Sequence, residues 1–96
     1  MKGKQIMDWY KVTMSAEQVR EGHNLRFMLA YAATGFPLFE QKDWRPTEPL
    51  SYYIPAEALP HCQHLTKPYS VESCPEPKAS EVTLACGDSK DYDLLK

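Results

Sequence analysis

The sequence predicts an α+β fold: a small mixed or antiparallel sheet of three to four strands packed on one long helix, with a short second helix. Three observations carry this expectation. Asp8–Met14 and Glu81–Cys86 alternate in side-chain character at a period of two, as strands with two distinct faces do. Ser15–Thr34 opens on a capping signal and becomes apolar nearly all round in its second half. Prolines, eight in 96 residues, are concentrated after Phe36 and cut the second half into short elements. At this length residues 1–96 make a single domain with one modest core, with 1–7 expected to be a flexible N-terminus and 88–96 a flexible acidic tail.

Taken in order, Tyr10, Val12 and Met14 form the core side of the first strand, and Trp9 stands on its other face. Ser15 with Gln18 three residues on reads as a capping box, and Glu17 suits the first turn of the helix dipole. Leu25, Met28, Leu29 and Ala32 fall on one stripe of the helix. Val19, Phe27, Ala30 and Tyr31 fall on the far side with His23, and Phe27 and Tyr31, four apart, are placed to stack. Gly22 is read as a tolerated glycine within the helix, at a cost of about 1 kcal/mol relative to alanine. Gly35, followed by Phe36-Pro37, stops it.

Phe36–Pro49 is expected to be a long connection whose aromatics, Phe36, Phe39 and Trp44, offer cover for the second helix face. Leu50–Ile54 reads as a strand, with Tyr52 and Ile54 on one side. Pro55 and Pro60 frame short turns, Ala56–Leu59 and then His61–Leu65. Ser70–Cys74 is a short strand, Pro75-Glu76-Pro77 a turn or linker, and Glu81–Cys86 a better strand in which Cys86 is a small core residue.

Composition excludes several functions. The net charge is −2, with seven Lys/Arg against five Asp/Glu up to Arg45 and four against eight beyond it, and no basic stripe is present to bind a nucleic-acid backbone. No apolar run approaches the length of a membrane span, and no secretory signal opens the chain. Three widely spaced cysteines do not make a disulfide framework and fit a cytoplasmic protein with reduced thiols.

Candidate chemistry is sparse. His61, Cys62 and His64 carry the ligand types that zinc and copper prefer, although no second ligand pair follows at regular spacing. Cys62 and Cys86 are weighed as nucleophiles and lack a base placed by the spacing. His23 could sense pH at an interface. Asp88, Asp91 and Asp93 lack the glycine turn and terminal glutamate of a calcium loop. No phosphate loop, hydrolase elbow or dinucleotide fingerprint is present.

The resulting expectation is a non-enzymatic cytoplasmic module that pairs with a second copy or another protein, without cofactor, nucleic acid or membrane. Its interface is expected on Phe27 and Tyr31 of the helix, or on an exposed sheet face carrying Trp9 and Tyr53. The alternative is a metal- or small-ligand-binding protein using His61/Cys62/His64, or a pocket lined by Trp44, Arg45 and Tyr53 in which Arg45 holds an anion.

Overall fold

The computed structural model describes residues 8–86. Its elements run β1 (Trp9–Met14), α1 (Ala16–Arg20), α2 (Leu25–Ala32), β2 (Leu38–Gln41), β3 (Leu50–Pro55), α3 (Leu59–Cys62), β4 (Ser70–Cys74) and β5 (Val82–Cys86), with 3-10 turns at Ala56–Ala58, Gln63–Leu65 and Ala79–Glu81. The five strands form one sheet in the order β4-β1-β3-β2-β5, and every pairing is antiparallel. The expected three to four strands on one long helix are therefore corrected to a five-stranded antiparallel sheet with short helices, of which α2 has eight residues. The expected flexible ends, 1–7 and 88–96, lie outside the described residues, as do Asp88, Asp91 and Asp93.

Two split crossovers generate this order. The α1–α2 segment joins β1 to β2 with β3 inserted between them, and the α3 segment joins β3 to β4 with β1 inserted. Right-handed crossovers of opposite strand direction put both helical segments on one face. There Val12, Met14, Leu50, Tyr52 and Ile54 of the sheet pack with Leu25 and Leu29 of α2, Cys62 of α3 and Tyr69. The alternation read in β1 holds: Val12 and Met14 are buried in this core, half-buried Tyr10 packs against it, and Trp9 lies on the opposite face.

The expected long helix is broken at Gly22. Gly22 has φ +87°, its N–H donates to the Val19 carbonyl at 3.1 Å, and the His23 N–H donates to the Gln18 carbonyl at 3.2 Å. This pair of bonds is the Schellman ending, which needs a left-handed residue at the turn. Asn24 then starts a second helix by accepting from the Phe27 N–H at 3.1 Å. Gly22 thus closes one helix where the sequence reading placed it inside a single helix, and Asn24 is a second N-cap. The capping box at Ser15 forms as expected, with Gln18 also donating to the Pro68 carbonyl at 2.9 Å and tying α1 to the start of β4.

The segment Phe36–Pro49, expected to be a connection, contains β2. Its Leu38 and Phe39 are both buried, on opposite faces of the sheet. Two adjacent apolar residues give no alternation, so the periodicity signal failed here. The other departure is at β5: Val82 is buried on the face opposite the helices, whereas Cys86 is exposed rather than a core residue.

That opposite face is crossed by the connection from β4 to β5. These strands are the two edges of the sheet, and eight steps of chain separate Cys74 from Val82. Crossing four strand spacings while climbing about four residues spans roughly 23 Å, against a reach of about 27 Å for eight fully extended steps, which the 3-10 turn at Ala79–Glu81 shortens further. The connection can only run nearly straight across the face, and Pro75-Glu76-Pro77 supplies the stiff, extended backbone for it. Pro77 is buried at its middle. On the same face Trp9 is 4% exposed, Phe39 and Val82 are buried, and Trp9 meets Phe39 edge to face at 5.8 Å.

Two measurements check this frame. Gly22→Ala would gain about 1 kcal/mol if the glycine were inside a helix; at a left-handed helix end it is expected to lose about 1 kcal/mol. No atom lies within 4 Å of an added Cβ, so the sign seen in urea denaturation reports backbone conformation alone. Trp9→Ala is expected to cost roughly 3–5 kcal/mol in the same experiment, because it empties a buried site packed on Phe39; a loss within about 0.5 kcal/mol marks an exposed residue instead.

Candidate functional site

Asn24 sets the phase of α2. With the helix starting there, Leu25 and Leu29 turn into the core and Phe27 and Tyr31 turn away from it. Phe27 is 64% exposed and Tyr31 78%, and their rings stack at 6.2 Å with an interplanar angle of 12°. They are the two most exposed of the large hydrophobic residues among the described residues, with Val71 marginal at 36%. The C-terminal end of α2 is held by Thr34, whose hydroxyl donates to the carbonyls of Tyr31 at 2.8 Å and Ala30 at 3.3 Å. Gly35 (φ +98°) then turns the chain into β2.

Beside α2 lies α3, begun by Pro60 in its first turn. Between them runs an open groove of about 710 Å³, with Phe27, Met28, Tyr31 and Ala32 on one side and His61, His64 and Leu65 on the other. His61 is further set by Phe36, whose ring lies 5.3 Å from the imidazole. Both histidines are exposed.

Cys62 leaves this face. It is fully buried, and its thiol donates to the Ala58 carbonyl at 3.6 Å. Burial pushes the thiol above its ordinary value, which leaves it a poor nucleophile and a poor metal ligand. The expected His61/Cys62/His64 trio is thereby reduced to two imidazoles, because neighbours on one helical turn point in different directions. Among the described residues no three His, Cys, Asp or Glu side chains come together to hold a metal ion.

The remaining expected site residues are dispersed. Trp9 is buried against Phe39 and Tyr53 packs half-buried in the same cluster, so this sheet face is not a bare apolar surface. The loop aromatics do not cover Phe27 and Tyr31: Phe36 and Trp44 pack against the helix-side core, and Phe39 is on the opposite side. Trp44 donates from its indole to the Glu48 carbonyl at 2.7 Å, and the Arg45 backbone donates to the Glu48 carboxylate at 3.3 Å. These bonds fold the β2–β3 loop on itself, and Trp44 and Tyr53, on opposite faces of the sheet, do not share a pocket. His23 sits in the break between α1 and α2, where it hydrogen-bonds the Tyr69 hydroxyl at 2.8 Å and meets Glu21 at 3.4 Å.

Sequence reading missed a second concavity, a trough of about 840 Å³ on the strapped face. The strap shields the lower, apolar part of the face and leaves open the upper part, where Lys11, Thr13, Ser51 and Glu72 line the floor. Thr13 and Ser51 bond each other there at 2.9 Å. Its position depends on the path of the strap, for which no local sequence signal exists. The trough has the polar floor of an ordinary solvated sheet face; the α2–α3 groove has exposed aromatic rings, which soluble surfaces rarely group together.

On the helix side, Tyr52 donates to the Glu40 carboxylate at 3.2 Å. Burial, and then the Glu40 charge, hold its phenol above the ordinary tyrosine range. This pair fills the interior under α2 and does not reach the groove. No helix among the described residues is long and apolar enough to cross a membrane.

Comparison with protein-family models, with curated proteins and with solved structures finds no match to this chain.

The three thiols provide a check on this geometry. In the folded protein a thiol-reactive dye is expected to modify Cys86 readily and Cys62 only on unfolding, since one is exposed and the other fully buried. Rapid labelling of Cys62 under native conditions, read by mass spectrometry after digestion, would contradict the placement of α3.

Proposed function

We propose that this chain is a binding module that pairs with a second copy of itself through the α2–α3 face. The observation that carries the reading is the stacked pair Phe27 and Tyr31, standing 64% and 78% exposed on a helix whose other side is already buried. Leaving two such rings in water forgoes the largest apolar gain a small surface can offer.

A second copy fits this face for three reasons. A twofold axis brings a surface against itself, so like charges would meet; the groove is lined without Lys, Arg, Asp or Glu, and no such repulsion arises. The protruding rings stand at the rim of a groove, so each copy can fill the other's. The sheet edges are poorer routes. Glu72 stands at the centre of β4 and would face its own copy, while the Ala85 carbonyl of β5 already accepts from Arg26 at 3.1 Å.

Area sets the strength of the contact. At aromatic side-chain sizes, the exposed parts of the two rings amount to roughly 300 Å² per copy, against about 800 Å² for a standard stable interface. The groove floor must be covered as well, and the dimer belongs to the small, reversible class.

Sedimentation velocity across the micromolar range is expected to resolve a concentration-dependent monomer–dimer equilibrium. Tyr31→Glu, which places a charge at the exposed ring position, is expected to abolish the dimer while changing folding stability by less than about 0.5 kcal/mol. A wild-type chain that stays monomeric throughout that range would falsify the proposal.

A further inference from the structure

We infer that the α2–α3 contact is released by acid through His61 and His64; the inference rests on the self-association reading and concerns the same groove. The two imidazoles sit on the wall that the partner's Phe27 and Tyr31 would approach. Histidine is the side chain whose ordinary titration falls between pH 5 and 8. In the free protein both rings are exposed, so water solvates the imidazolium whenever it forms. In the dimer the partner's apolar rings displace that water, and the charged form loses its solvation.

The groups facing the two imidazoles offer little to replace it. From α2 come Phe27, Met28, Tyr31 and Ala32, with no acidic or basic side chain among them. Phe36, packed on His61, is uncharged. Along the helical segment itself Glu57 precedes His61 by four residues and Lys67 follows His64 by three, one charge of each sign and neither lining the groove. A twofold contact takes up two imidazoles from each copy, so the penalty is counted four times.

The sign follows from linkage. Association favours the neutral ring and depresses its proton affinity in the dimer. The dimer is therefore at full strength above the free histidine value and weakens as pH falls through it. One unit below the usual histidine value of about 6.5, each ring that must enter neutral costs up to about tenfold in affinity.

Sedimentation velocity on the full chain at pH 7.5 and pH 5.5 tests this. The dissociation constant is expected to rise at least about tenfold at the lower pH. The double variant His61→Gln/His64→Gln is expected to dimerise at pH 7.5 and to show no change at pH 5.5. His23→Gln is expected to keep the wild-type response, because His23 is engaged by Tyr69 and Glu21 away from the groove. A dissociation constant that is unchanged or lower at pH 5.5, or a pH response that survives the double substitution, overturns the inference and leaves self-association standing. Absence of a dimer at pH 7.5 removes both.

Discussion

The path of one short connection governs how this molecule uses its surfaces. β4 and β5 lie at opposite edges of the sheet, and the chain between them has little length to spare. It is drawn across the face the helices do not cover, with its prolines keeping it extended. Trp9, Phe39 and Val82 are buried together on that face, so the sheet has a second, small core opposite the helices. A fold of this size is usually limited by how much it can bury.

With Trp9, Phe39 and Val82 buried on one face and the main core on the other, the most exposed large apolar side chains among the described residues are on α2. Its inner side completes the main core through Leu25 and Leu29, and its outer side leaves Phe27 and Tyr31 in water. The break at Gly22 matters here. A continuous helix would carry the rotation of α1 into α2, whereas the Schellman ending and the Asn24 cap let α2 choose its own angle to the sheet. The groove toward α3 exists because Pro55 and Pro60 hold the β3–β4 crossover to short turns instead of a helix long enough to cover α2. Phe36 and His61 pack across its end. The site is thus a consequence of one crossover being too short to mask the other.

Much of the local structure was legible. The alternation of Tyr10, Val12 and Met14, the capping box of Ser15 and Gln18, the strand at Leu50 and the turns at Pro55 and Pro60 follow from short-range chemistry and are present. The Phe27–Tyr31 pair was legible as well, since residues four apart on any helix share a side. Other features were not. β2 has four residues and buries Leu38 and Phe39 on opposite sides, a pattern that makes sense only in a sheet covered on both faces. Cys62 and its two histidines are neighbours in sequence yet separate in space, because the turn directs the thiol inward.

By itself the sequence determined the strands at Trp9, Leu50, Ser70 and Val82, the capped start at Ser15, and that the segment after Asn24 carries more apolar surface than a single core contact requires. These are properties of a few consecutive residues, governed by backbone sterics, capping hydrogen bonds and periodicity. Tertiary structure alone decided the order of the strands, the burial of Trp9 and the exposure of Phe27 and Tyr31. The physical reason is that burial depends on which distant segments arrive at a face. Whether an aromatic ring meets protein or water is decided by partners tens of residues away, whose path no local preference records.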